Sequence, residues 1–387
     1  MDGFPAGIAA AVREAVGRVS DPELRRPLAE LDMIKGVEVT GGVAVVGITL
    51  TISTCPAAAR IERDVHAAAT AVDGVKEVRI DVGVMTPEQR AALTAKLREG
   101  RSRSSLPFTK ESLTRVIAVS SGKGGVGKST VTTNLAAAMA ARGLSVGIID
   151  ADVYGFSVPG LLGLFDSQGK VIRPTRIDHL VLPPVAHGIK AVSIGMFLPE
   201  GAEDTAVSWR GPMLHRTMEQ FLNDVYFGDL DVLLIDLPPG TGDIAISVGQ
   251  ILPHAEVIVV TTPQPAASEV AVRSGILARE FDQRVIGVVE TMSPMLLADG
   301  SSFEPFGAGG GAAAATKLSA VGSSVPLLAS IPFSTGLRSG GDTGVPIIAA
   351  APEDPAARAF TELAERLAVR PRGLPGRRLP VSPASTP

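Results

Sequence analysis

A chain of 387 residues is too long for one compact core and points to two domains plus connections. Its 45% hydrophobic and 20% charged residues suit a soluble globular protein. Its 36 basic and 40 acidic residues leave a net charge of -4, without the basic footprint of a general nucleic-acid binder. The single cysteine, Cys55, excludes an intrachain disulfide and a CxxC metal pair.

The opening "MDGFPAGIAAAVREAVGRVSDPE" carries acidic residues and lacks the apolar core of a signal peptide. No apolar run reaches the ~18 residues that a membrane span requires, so the expected location is cytoplasmic, with no membrane partner. Residues 1–98 read as a small α/β unit. "AGIAAAVREAVGRV" is an amphipathic helix, and "IKGVEVT" and "VAVVGITLTI" are strands joined by a Gly41-Gly42 hairpin turn. A helix over "PAAARIERDVHAAATAV" and a strand over "KEVRIDVGV" complete an α-β-β-α-β order. Residues 99–114 are polar and basic and read as a linker. From Arg115 to 368, apolar runs such as "RVIAVS", "SVGIID", "DVLLIDL", "EVIVVTT" and "RVIGVVE" alternate with helical stretches. That alternation predicts a mostly parallel sheet buried on both faces and flanked by helices. Residues 369–387 are Pro-rich and basic and read as a disordered tail, too broken by proline to form an amphipathic membrane helix.

Gly122, four residues, then Gly127, Lys128 and Ser129 match the phosphate-loop pattern G-x-x-x-x-G-K-[ST]. The preceding strand "RVIAVS" and the following helix "KSTVTTNLAAAMAAR", closed by Gly143, are the context that this pattern demands. Backbone N–H groups of Gly124, Gly125, Val126, Gly127 and Lys128 are placed to wrap a β-phosphate. Lys128 would reach the β- and γ-phosphates, Ser129 would ligate Mg²⁺, and Thr130 ends the segment. Lys123, inside the loop, is a second lysine whose role the ordinary loop leaves open. Asp150 and Asp152, in "IIDADVYG", fall at a strand's carboxyl end, where open α/β sheets place their sites. Asp150 is a candidate for holding Mg²⁺ through water and Asp152 for orienting an attacking water; the bland alternative is a pair of turn-capping acids. Asp236 follows four apolar residues, the Walker B pattern, with a water-mediated Mg²⁺ contact as its expected role. Pro238-Pro239-Gly240 is a stiff turn suited to sensing a γ-phosphate, and Asp243 belongs either to that turn or to the N-cap of the next helix.

The K-G-G-x-G-K-[ST] form resembles the deviant Walker A ATPases, the class of MinD, ParA and the nitrogenase iron protein. In that class the first lysine reaches across a dimer, so the resemblance implies an ATP-sandwich homodimer with Lys123 acting in trans. "GKGGVGKST", "DADVYGFSVPGLLG", "WRGPM", "DLPPGTGD" and "TTPQ" together resemble the Mrp family of ATP-binding iron–sulfur cluster carriers. "SDPEL" and "LTISTCP" resemble the small domain fused to bacterial members. The resemblance implies ATP and Mg²⁺ as cofactors, slow ATP hydrolysis, and transfer of a [4Fe–4S] cluster to apoprotein clients, with no specific nucleic-acid partner. One segment departs from it. The family places a CxxC pair after an "ENMS" stretch; here "ETMSPMLLADGSSFEPFGAGGG" holds neither cysteine nor histidine. Thr291 stands where the class has an asparagine expected to read adenine. Cys55, before Pro56, is either a helix N-cap thiolate able to touch a cluster or a small buried hydrophobe. A positioning switch of the ParA or MinD kind, and an adaptor that kept the ATP switch but lost the cluster, are the competing functions.

Overall fold

The computed structural model describes residues 5–52, 57–98, 107–153, 155–197, 211–297 and 299–368. Cys55, Trp209, Arg210 and the Pro-rich segment 369–387 lie outside the described residues.

The first unit runs α1 (Pro5–Gly17), β1 (Ile34–Thr40), β2 (Val43–Leu50), α2 (Ala58–Thr70), β3 (Glu77–Val84) and α3 (Pro87–Arg98). β1 and β2 are antiparallel through Gly41 and Gly42, whose φ of 63° and 86° give the twisted turn that only glycine adopts freely. β3 joins β2 in parallel, giving the order β1-β2-β3. Alternating exposure along β1 and β3 leaves one sheet face to solvent, while Ile61, Val65 and Ala69 of α2 close the other. The α3 helix was not expected from the sequence, where mixed charges blur its apolar stripe. It is anchored by buried Leu93 and Leu97.

The second unit contains β4 (Arg115–Ser121), α4 (Lys128–Ala141), β5 (Val146–Asp150), α5 (Val158–Leu161), β6 (Thr175–Ile177), β7 (Leu180–Leu182), β8 (Val185–Ala186), β9 (Ile189–Ser193), α6 (Gly211–Asp224), β10 (Val232–Asp236), α7 (Asp243–Ile251), β11 (Glu256–Thr261), α8 (Pro265–Glu280), β12 (Arg284–Ser293), β13 (Met295–Leu296), β14 (Ser302–Phe303), α9 (Gly310–Ala320), β15 (Leu327–Pro332), α10 (Thr335–Thr343), α11 (Ile347–Ala350) and α12 (Pro355–Ala368). Among the described residues an eight-stranded sheet has the order β15-β12-β11-β4-β10-β5-β9-β8, parallel except for the edge strand β8. Helices cover both faces, so β5, β10 and β11 are buried at every position, which is why their sequences read as unbroken apolar runs. α4 packs between the sheet and α12; its alanines let it approach closely. It ends in a Schellman turn, with Leu144 N–H donating to Met139 O at 3.3 Å and Gly143 N–H to Ala140 O at 2.9 Å.

One stretch differs from expectation. Within the segment expected as a polar linker, Phe108 is buried in the large unit's core beside Phe227, with ring centroids 6.2 Å apart. At the end of the thiol-free segment, Gly310 and Gly311 open α9. A Cβ on Gly310 would lie 2.4 Å from Pro263 O, so glycine is needed there for close packing. Among the described residues no helix is long and apolar enough to cross a membrane.

Candidate nucleotide-binding site

β4 sits in the middle of the sheet, and the chain builds outward from it on one side before returning to the other. Its carboxyl end is therefore a topological switch point, where open α/β sheets leave a crevice. The phosphate loop leaves β4 there and enters α4. Gly125 and Gly127 have φ of 77° and 80°, a conformation that a side chain would strain. A Cβ on Gly125 would meet nothing within 4 Å and one on Gly124 only Pro239 at 3.9 Å, so the loop's outer face is open for a ligand to approach the backbone. Its inner face is closed: a Cβ on Gly122 would fall 2.3 Å from the Val270 carbonyl carbon in α8. The loop borders a cavity of about 720 Å³, also lined by Asp152, Pro239 and Asp243.

Register brings the acids together. Asp236 of β10 pairs with Asp150 of β5, and Asp150 with Ser193 of β9, in one row across the carboxyl edge. Lys128 is buried at the base of α4 and its Nζ donates to Asp236 Oδ2 at 2.7 Å, with Asp152 Oδ2 at 3.7 Å. Ser129 Oγ donates to the same Asp236 oxygen at 2.5 Å, and Thr132 Oγ1 to Oδ1 at 2.6 Å. Asp150 is fully buried. It accepts from Ser193 Oγ at 3.0 Å, Val158 N–H at 3.3 Å and Asp152 N–H at 3.1 Å. Burial, and then the charge of Asp236, hold the Asp150 carboxyl well above the usual carboxylate range, against the pull of Lys128. Asp152 lines the cavity; Asp150 stands behind it. Ser129 and Asp236 supply hydroxyl and carboxylate oxygens, the donor set a hard divalent cation takes alongside phosphate.

Lys123 lines the same cavity, its Nζ donating to Gln264 Oε1 at 3.3 Å. The Pro238–Gly240 turn is tied to the loop's strand by Gly240 N–H donating to Ser121 O at 2.7 Å. Asp243 is the first residue of α7 and Gly242 occupies the cap position, so the N-cap reading of Asp243 is not met. Thr291 does not face open space. Its hydroxyl is 2.6 Å from Val126 O and 3.1 Å from Thr261 O, bracing the phosphate loop from β12. Thr132, Ser193 and Gln264 escaped the sequence reading. Thr132 alone left a signal there, four residues after Lys128 and so on the same helix face. After β12, residues expected to lack thiols form the small antiparallel hairpin of β13 and β14, with Leu296 80% exposed.

A phosphate loop at the switch point of a parallel sheet, with buried aspartates on the neighbouring strands, defines a P-loop nucleotide-binding protein. The family profile described as NUBPL iron-transfer P-loop NTPase matches residues 112–368, and one described as iron-sulfur cluster assembly protein matches residues 9–82. The chain belongs to this iron-transfer P-loop NTPase family, in its Mrp-type branch with the fused small domain. An iron-sulfur cluster carrier protein of Mycobacterium tuberculosis is 51% identical over 378 residues, covering 97% of each chain. One of Synechocystis is 40% identical, covering 92% of this chain and 96% of the relative. Among solved structures, a nucleotide-binding protein of Archaeoglobus fulgidus in complex with ADP is similar, with 33% identity and a TM-score of 0.50. That match covers 64% of this chain and 91% of that one.

Proposed function

We propose that the chain binds ATP with Mg²⁺ and slowly hydrolyses it as an ATP-sandwich homodimer, and that this cycle serves delivery of iron–sulfur clusters to apoprotein clients in the cytoplasm. The open glycine cradle above Lys128, Ser129 and Asp236 carries the reading. Loop N–H groups from Gly124 to Lys128 wrap the β-phosphate. Lys128 leaves Asp236 for the β- and γ-phosphates. Ser129 would ligate Mg²⁺, Asp236 and Asp150 would reach it through water, and Asp152 would orient the attacking water. Lys123 acts on the partner subunit's nucleotide. That the relatives at 51% and 40% identity are iron–sulfur cluster carrier proteins supports cluster delivery.

The trans role is tested by mixing a Lys123→Ala variant with an Asp152→Ala variant. Each homodimer is inactive, but a heterodimer keeps one site with both residues, so hydrolysis returns in part. No recovery with heterodimers shown to form sinks the trans assignment. A second reading, an adaptor that kept the switch and lost the cluster, is favoured by the thiol-free segment from Met292 to Phe306. With Cys55 as the sole thiol, the chain lacks the four thiolates that a [4Fe–4S] cluster usually takes. Anaerobic reconstitution with iron and sulfide should give well under one cluster per dimer, and Cys55→Ser should remove what remains. A stoichiometric cluster in Cys55→Ser would defeat this account of the ligands.

A further inference from the structure

The "TTPQ" segment has no part in the nucleotide chemistry described so far, yet register carries it to the phosphate loop. Val260 of β11 pairs with Ser121 of β4. The two strands therefore leave the sheet side by side, one into residues 262–264 and the other into residues 122–123. Gln264 takes the cap position of α8 and precedes Pro265, which confines it to extended backbone; its φ and ψ are −63° and 131°. Its carbonyl accepts the N–H groups of Ala267 at 3.0 Å and Ser268 at 3.1 Å, while its side chain makes no bond to the helix it precedes. The side-chain oxygen instead accepts from Lys123 Nζ at 3.3 Å, with Thr262 Oγ1 at 3.5 Å.

Loop and helix are fixed to each other here. The backbone of α8 fills the space that a Cβ on Gly122 would take, 2.3 Å from the Val270 carbonyl carbon. Ser121 Oγ donates to Lys123 O at 3.2 Å. With both backbones held, the part left to move is the side chain of Lys123. The loop's two lysines are also held differently. Lys128 is buried and its Nζ pairs with the buried carboxylate of Asp236 at 2.7 Å. Lys123 is half-buried at the cavity, and among the described residues its ammonium group has a neutral amide as partner and no ion pair. A long bond to a neutral oxygen orients a cation without neutralising it, so the charge stays available to a phosphate.

We propose that Gln264 is a positioning residue for Lys123: it parks the ammonium group beside its own subunit's cavity until the partner subunit's nucleotide takes it over, and, being neutral, it releases the group easily. The inference rests on the trans role proposed for Lys123. A glutamate at this place would be a latch that holds the lysine at home by an ion pair. A methionine, of similar length and without the amide, would be no post at all. The two substitutions should therefore act with opposite signs, which a helix cap or a packing role would not produce.

The full-length chain tests the contact and its use separately. Reductive methylation at about pH 8 without nucleotide, followed by peptide mass spectrometry, reads the contact, with exposed Lys35 and Lys170 as internal controls. Gln264→Met should raise labelling of Lys123 about threefold against the controls, and Gln264→Glu should lower it about threefold, because a carboxylate partner keeps the amine protonated. Equal labelling in the parent and both variants overturns the contact. Sedimentation with ATP reads its use. Gln264→Glu should dimerise and hydrolyse ATP about tenfold less readily, with ADP affinity by calorimetry unchanged, since an ion pair holds the lysine more tightly than an amide does. Gln264→Met should dimerise at least as readily as the parent. A fall in Gln264→Met as deep as in Gln264→Glu overturns the parking role, as does parental dimerisation in Gln264→Glu. The mixture of Lys123→Ala and Asp152→Ala runs alongside. If the mixture recovers while both Gln264 variants dimerise as the parent does, the post alone is wrong; if it does not recover, the trans role itself is wrong and the hand-over falls with it.

Discussion

The carboxyl ends of β4, β5 and β10 gather Lys128, Asp150, Asp152 and Asp236 into one buried cluster, whereas the end of β12, two strands from β4, runs into an exposed hairpin of apolar and acidic residues. The first region is bound into the core. Lys128 pairs with Asp236 and stands near Asp152, so a change at the lysine strands buried acids. The second rests on two short strands and a Phe303–Phe333 edge contact with centroids 6.3 Å apart. The fold's own energetics thus guard the nucleotide machinery and leave the hairpin free to change.

Three substitutions break or sharpen that contrast. The largest effect is expected for Gly122→Ala, whose Cβ would meet the α8 backbone at 2.3–2.5 Å. Backbone cannot swing aside as a side-chain end does, so overpacking should cost about 1–3 kcal/mol or more and displace the loop. Thermal melting should show the loss and ADP titration should show no binding; an unshifted melt with parental affinity would mean that the inner face is not closed. Thr291→Val comes next. It leaves Val126 O without its buried donor, at about 1–3 kcal/mol, and should weaken ADP severalfold by loosening the loop. Thr291→Ser keeps the hydroxyl and should restore affinity; a serine variant as weak as valine would show that methyl packing, not the hydrogen bond, is what matters. Leu296→Ser, at the 80% exposed hairpin position, should stay within about 0.5 kcal/mol of the parent in denaturant melts. A larger loss would place the hairpin with the core and erase the contrast.

The strands of the large sheet and the phosphate loop were legible because each carries its own signal. Strands covered on both faces are unbroken apolar runs, and the loop needs Gly, Lys and Ser at fixed spacing. What stayed hidden depends on register or on brevity. Ser193 becomes a partner of Asp150 only because β9 pairs with β5, 43 residues apart in sequence, and nothing marks that serine beforehand. β6 and β7 have three residues each, too few for any periodicity, although Ile177 and Leu180 complete another unit's core. Thr291 stands where the class has an asparagine, and nothing in the sequence marks that its short hydroxyl braces the loop. The linker reading went by polar neighbours and passed over Phe108, a single ring buried against Phe227.

The hydrogen bonds around Asp236 also dictate an order of assembly. Lys128 and Ser129 occupy one of its oxygens and Thr132 the other, so the carboxylate is already neutralised by a cation belonging to the chain. On the proposed roles, a magnesium ion arriving alone would find both Asp236 oxygens already paired. A nucleotide that drew the ammonium group of Lys128 onto its phosphates would vacate the place. Metal and nucleotide would then enter as a pair, with the lysine as placeholder. Calorimetry should show no heat of specific binding from magnesium until ADP or ATP is present, and a magnesium isotherm in the nucleotide-free chain would contradict that order.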